Sequence, residues 1–300
     1  MNGINCITVK ECSKKIIYGT LVSVATLFSI VALSDTNTDT NTNPSRTFKQ
    51  KCERMELSEA LDAYFNALST QDPTSLPLTT NAKFTENGKT LKLGTGKLWP
   101  IAGETLMRRD AIDTVQCAAA TQAVVLSNNK ESVLGVRIQL EKGLISEIET
   151  LYVQPNFLLS NPQNLINTLQ PEWDETLPED KRSTPVALRA YADSYFNALD
   201  TSGTQDYIPA PFSDSCNRWE NGVKMTFNNC QKQLQNTPFN TLQIGMVHRR
   251  FPVMDTEKGI AIGFASFTNI WNMMEMFLIR DAKIQKIQAV LVPWTGSHGW

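Results

Sequence analysis

Histidine is nearly absent from this sequence. Two occur in 300 residues, His248 and His298, and no Cys-x-x-Cys pair accompanies them. Zinc sites draw on such ligands at short spacing, so no metal is expected, and no motif points to another cofactor. Basic blocks are missing too: 28 Lys and Arg stand against 30 Asp and Glu, a formal charge of −2. A mildly acidic chain without a positive stripe has no electrostatic reason to hold nucleic acid. Apolar residues are not lacking. With 41% hydrophobic and 19% charged residues the chain can fill cores, and its length has room for two ordinary domains.

Lys10, Lys14 and Lys15 precede an uncharged run of 18 residues, 16–33, and Ala32 and Ser34 place small residues around a candidate cut. Positive, apolar, then small is the order of a secretory signal, so residues 1–34 are expected to direct export to the periplasm or the medium. The run also reaches the length that spans a bilayer, and a membrane anchor over residues 16–33 is the alternative. Residues 35–50 are Thr- and Asn-rich with almost no apolar content, as in a disordered linker. Past the signal, Cys52, Cys117, Cys216 and Cys230 remain, an even number that suits two bridges in an oxidising compartment.

The chain repeats itself. Tyr-Phe-Asn-Ala-Leu occurs at residues 64–68 and 195–199, Glu-Asn-Gly at 86–88 and 220–222. Paired arginines follow (Arg108 and Arg109, Arg249 and Arg250), and each copy closes on a β-like run, 145–153 and 284–292. Landmarks in one order at offsets of 131, 134, 141 and 139 mark an internal duplication. Two domains are expected, over residues 52–157 and 186–300. The connection 158–185 is rich in proline and carries Trp173 as a docking residue. Pairing Cys52 with Cys117 and Cys216 with Cys230 keeps each bridge inside one copy.

Each copy opens with an amphipathic helix. Leu57, Leu61, Tyr64 and Leu68 share one face, and Leu188, Ala192, Tyr195 and Leu199 repeat the spacing. Thr184-Pro185 supplies an N-cap and a first-turn proline. Asn87-Gly88 and Asn221-Gly222 suit type I′ hairpins, with Glu86 pairing Lys89 across the first turn. Further on, Leu134, Val136, Ile138 and Leu140 alternate with Gly135, Arg137 and Gln139, as in a strand with two unlike faces. Helices followed by a meander of long strands predict an α+β domain, its helices on one face of a curved antiparallel sheet.

These residues resemble the SnoaL-like, nuclear transport factor 2-like superfamily, which includes ketosteroid isomerase. More narrowly, the chain resembles an exported family carrying this domain in tandem, through Cys52, Phe84-Thr85-Glu86-Asn87, the run Asp113-Thr114-Val115-Gln116-Cys117 and the closing Gly299-Trp300. The resemblance covers roughly residues 52–300. It implies two cone-shaped domains, each a curved sheet wrapped around helices, with a mostly apolar pocket at the open end. It also places Tyr64 and Tyr195 where the isomerase holds its oxyanion, and Asn87 and Asn221 where the isomerase has its general base. A carboxamide has no basic site near neutral pH, so neither copy is expected to isomerise steroids. Glu86 and Glu220 lie one residue away, and one step along a strand turns a side chain to the opposite face.

Within these copies Tyr64 and Tyr195 suit core tyrosines, and the arginine pairs suit carboxylate bracing of a sheet. His248 suits a bracing or surface position. Glu275 breaks the repeat: aligned with Val136, it falls on the apolar face of its strand with Met273, Phe277 and Ile279. A carboxyl displayed there would be desolvated and fit for general acid or base work. The expected catalytic groups are therefore Glu275, Tyr195 and His248, and the expected ligand contacts Tyr64, Asn87, Asn221 and Phe277. The expected function is binding of a small apolar molecule. A cofactor-independent isomerase, dehydratase or cyclase using Glu275 and Tyr195 is the alternative.

Overall fold

The computed structural model of the chain describes residues 51–167, 171–202, 204–226, 229–237, 245–268 and 270–300. The expected export segment over 1–34 and the expected linker over 35–50 lie outside the described residues. Among the described residues, no helix is long and apolar enough to cross a membrane.

The first copy runs α1 (Arg54–Ser69), β1 (Leu78–Glu86), β2 (Lys89–Leu91), β3 (Ala102–Asp113), β4 (Ala118–Ser127), β5 (Lys130–Glu141) and β6 (Leu144–Tyr152). A short helix, α2 (Pro162–Asn167), lies in the connection. The second copy runs α3 (Pro185–Asp200), β7 (Phe212–Glu220), β8 (Val223–Lys224), α4 (Cys230–Asn236), β9 (Met246–Asp255), β10 (Ile260–Phe267), β11 (Trp271–Arg280) and β12 (Lys283–Pro293). Each copy is thus an α+β domain with its leading helix packed on a six-stranded sheet, ordered β2-β1-β6-β5-β4-β3 and β8-β7-β12-β11-β10-β9.

The helices form where the apolar spacing places them. Leu57, Leu61, Tyr64 and Leu68 of α1 are all buried, as are Leu188, Ala192, Tyr195 and Leu199 of α3. Each fully buried Leu of this kind contributes about 1.5–3 kcal/mol. Thr184 caps α3 by accepting from the Ala187 N–H at 3.2 Å, with Pro185 in the first turn. Both Asn-Gly turns have positive φ at both residues, 51° and 79° in the first and 46° and 84° in the second, as a type I′ hairpin requires.

One expectation needs correcting: the sheets are mixed. β1 pairs β6 in parallel and β7 pairs β12 in parallel, while the remaining neighbours are antiparallel. After the hairpin the chain crosses to the far edge, and the four-strand meander returns to the first strand running in the same direction. Register shifts within the β1–β6, β3–β4 and β5–β6 pairings bend the first sheet over its helix.

Strand alternation sorts each sheet into two apolar faces. Leu134, Val136, Ile138 and Leu140 face α1. Val133, with Val124, Ala120 and Leu151, joins Met274, Met276, Val290 and Ile262 of the other copy in a separate cluster, so the sheets pack back to back. Gly135 sits where they come closest: a Cβ there would lie 3.0 Å from Met274 Cε and 3.3 Å from Val290 Cβ. Trp173 of the connection is buried in the same cluster, under the Arg109 guanidinium at 4.7 Å.

The halves also clasp each other reciprocally. Ile112 donates its N–H to Asp255 at 2.9 Å, and Met254 donates its N–H to Asp113 at 2.9 Å. The segment after β6 reaches the second hairpin, where the Asn161 N–H donates to Asn221 O at 2.8 Å. The segment after β12 reaches the first, where Thr295 Oγ1 donates to Asn87 O at 2.7 Å and Trp300 Nε1 to Thr85 at 3.2 Å. Disulfides Cys52–Cys117 and Cys216–Cys230 each close within one copy, with Cα atoms 5.2 and 5.4 Å apart. Arg108 pairs with Asp62 and Asp110, Arg249 with Asp193 and Asp200, and Arg250 with Glu149 of the other sheet.

Candidate functional site

The two interiors have the same frame and different fillings. In the first, the Tyr64 hydroxyl pairs with Thr150 Oγ1 at 3.0 Å, and Trp99 packs edge-on to the Tyr64 ring at 6.0 Å. Glu86 turns inward and accepts the N–H groups of Lys97 and Leu98 at 2.7 and 3.1 Å, which ties the loop carrying Trp99 over the interior. The carboxylate does not pair with Lys89, although the two residues are register partners across the turn. The expectation that Glu86 and Glu220 turn away from the interior is likewise overturned. Phe84 and Arg218 point inward, so the residues two further on do as well, and it is the Asn of the turn that leaves the strand.

In the second interior, three equivalent positions have changed. Arg218 stands where the first copy has Phe84, Glu275 where it has Val136, and Ala289 where it has Thr150. The result is a cavity of about 120 Å³, roughly ten times the ~10–15 Å³ that one water needs. Its polar side is Arg218, Glu220 and Glu275, all buried, and its walls are Leu199, Phe267, Met273 and Leu291. Half-buried Phe157, Leu159 and Trp271 border it on the exposed side, with the Phe157 and Trp271 rings edge to face at 5.7 Å. Two of these three, Phe157 and Leu159, come from the segment that follows β6.

Electrostatics concentrate on β7, β11 and α3. Arg218 forms an ion pair with Glu220, while its Nε and Nη1 are buried without a hydrogen-bond partner. Burial pushes the Glu275 carboxyl up to about 7, opposed by the Arg218 charge and by the Tyr195 hydroxyl. Burial raises the Tyr195 hydroxyl above its ordinary range as well. The two groups are near enough to influence each other's ionisation, yet neither Tyr195 Oη nor Glu275 Oε2 makes a hydrogen bond of acceptable geometry. With alanine at position 289 the Tyr195 hydroxyl has no threonine like the partner of Tyr64, and it faces Arg218 and Glu275 instead.

The structure therefore brings Glu275 and Tyr195 together and adds Arg218 and Glu220, which sequence reasoning missed. Setting the copies side by side at the hairpin offset would have exposed Arg218, as a charge opposite Phe84. His248 is elsewhere. It sits on β9 with φ +56°, beside a register shift in the β9–β10 pairing, and stacks on His298 at 4.2 Å near Arg250, Glu149 and Asn272. Phe277 packs on the Tyr195 ring at 5.3 Å and positions it. Tyr64 belongs to the filled interior. Asn87 and Asn221 spend their carboxamides on backbone, each exchanging two hydrogen bonds with one strand residue, Tyr152 and Leu291 respectively. Among the described residues, no cluster of His, Cys, Asp and Glu could hold a metal ion.

Fold and site together define a duplicated α+β chain with one interior filled and the other open and charged. Residues 181–291 match the family described as "Domain of unknown function (DUF8021)". A search of curated proteins returns no match. Among solved structures, the chain is similar to an LEH-like epoxide hydrolase from M. tuberculosis at 18% identity and a TM-score of 0.27, covering 33% of this chain and 84% of that one. It is also similar to a cystatin-like-fold protein from Methylobium petroleophilum PM1 (14% identity, TM-score 0.30, 36% and 82% covered). A third is an NTF-2 like protein from Burkholderia xenovorans LB400 (17%, 0.28, 39% and 94%).

Proposed function

We propose that the second domain binds a small, largely apolar molecule, with its one polar group against Arg218 and Glu275, which the Tyr195 hydroxyl backs. The observation that carries this reading is the paired replacement of Phe84 and Val136 by Arg218 and Glu275 in an interior that stays open. Buried polar groups without partners are costly, so their presence around a cavity points to a ligand that satisfies them. The carboxyl pushed up to about 7 favours a second reading, cofactor-free acid–base chemistry, because a group titrating near neutral pH can both give and take a proton. Two disulfides and the Lys-then-apolar N-terminus support export of the folded part, either free or held by residues 16–33.

Restoring the first copy's side chains at positions 218 and 275, and neutralising Glu220, tests the reading. The triple variant Arg218→Phe, Glu220→Gln and Glu275→Val keeps the frame and removes the charge. Native mass spectrometry of the full chain is expected to show a small bound molecule in the wild type and none in the variant, with both melting cooperatively. Equal occupancy in the two proteins would refute a ligand role for the second interior.

A further inference from the structure

The composition of the polar side of the cavity narrows the ligand class, and this inference rests on the proposed binding function. Arg218 is 4% exposed, and its Nε and Nη1 have no hydrogen-bond partner. Tyr195 Oη and Glu275 Oε2 are also buried without one. Three of these four atoms belong to donors under every condition below the tyrosine's titration, and Glu275 joins them when it carries its proton. The cross-strand neighbours of Glu275, Gly263 on β10 and Ala289 on β12, offer no side-chain acceptor. Glu220, the other acidic residue lining the cavity, is already engaged by Arg218 Nη2. The polar end of the cavity thus keeps two unpartnered Arg218 donor atoms, with the Tyr195 hydroxyl behind them, and gains a further donor when Glu275 carries its proton. A neutral carbonyl brings two lone pairs, whereas a carboxylate brings about four and matches a guanidinium in charge as well.

We infer that the cavity's ligand is a small monocarboxylic acid, its apolar body against Leu199, Phe267, Met273 and Leu291 and its carboxylate held by Arg218 and the Glu275 carboxyl, with the Tyr195 hydroxyl behind them. The second negative charge beside Glu220 is tolerated because Glu275 contributes a proton to the shared hydrogen bond. The charged or titratable groups facing Glu275 are Arg218 and Glu220 from β7 and Tyr195 from α3. Binding is therefore coupled to the Glu275 proton: affinity holds below neutrality and falls by up to about ten-fold per pH unit above the carboxyl's own titration.

The experiment is calorimetric titration of the full chain with benzoate, phenylacetate and 3-methylbutanoate, each beside its primary amide, at acidic and alkaline pH. At least one acid is expected to bind about ten-fold tighter than its amide. Arg218→Met, nearly equal in size, should erase that preference while the amide still binds. Glu275→Gln should keep the preference and abolish its pH dependence. An amide bound as tightly as its acid would overturn the carboxylate assignment and leave the pocket standing. No binding by any of the six compounds, in a protein that melts cooperatively, would show a cavity holding water only, and both readings would fall.

Discussion

Glu275 is a buried carboxyl on a strand whose counterpart in the first copy carries valine, and its burial has a cost. An aligned repeat makes it visible, because a carboxyl opposite Val136 on an inward face has no structural reason to be there. Its neighbour Arg218 is harder to read: beside Glu220 on a strand it resembles a solvent-facing ion pair until Phe84 is set against it. Inward direction there depends on where the strand ends, and Asn221 at positive φ ends it one residue earlier than simple alternation assumes. Glu275 also makes stability depend on pH. A carboxyl that holds its proton longer when folded stabilises the fold below about 4.5 and loses that contribution as pH rises to about 7. Glu275→Gln should therefore match the wild type near pH 4 and exceed it at pH 8 by on the order of 3 kcal/mol. Urea melts of both proteins at the two pH values measure this, and a variant whose advantage over the wild type is no larger at pH 8 than at pH 4 would contradict it.

Among the elements, local signals are the legible ones. The 3–4 spacing in α1 and α3, the Thr184-Pro185 cap and the Asn-Gly turns all form as their own residues dictate. Direction of pairing is not local: whether β1 lies parallel or antiparallel to β6 depends on the edge at which the crossover lands, and nothing in either strand records it. The disulfides are legible only through the repeat, since four cysteines alone allow three pairings. They also rank the loops. Cys52–Cys117 spans 65 residues and Cys216–Cys230 only 14, so removing the first by paired alanines should cost on the order of 4 kcal/mol and the second on the order of 3. Thermal melts of the two variants check the order, and a reversed ranking would show that native packing rather than unfolded-chain entropy decides.

At the scale of the whole molecule, the copies behave as the two subunits of a symmetric pair would, joined in one chain. Their outer faces share one apolar cluster, and Asp113 and Asp255 each cap the partner strand's backbone. Asp255 in addition takes both guanidinium branches of Arg54, at 3.0 and 2.8 Å. Such an arrangement should unfold as one unit, and because association is intramolecular its melting temperature should not move with protein concentration. A scan over a hundred-fold dilution measures this, and a falling midpoint would mean that the halves are held by a second chain.

The back-to-back packing has a consequence for how such a protein can change. In an assembly of identical subunits every substitution appears twice, so a buried charge that helps one cavity must be endured by the other. Fusion of the copies lifts that constraint. Here one half keeps Trp99 and Phe84 in its interior while the other carries Arg218 and Glu275, so a charge buried in one copy need not be repeated in its twin.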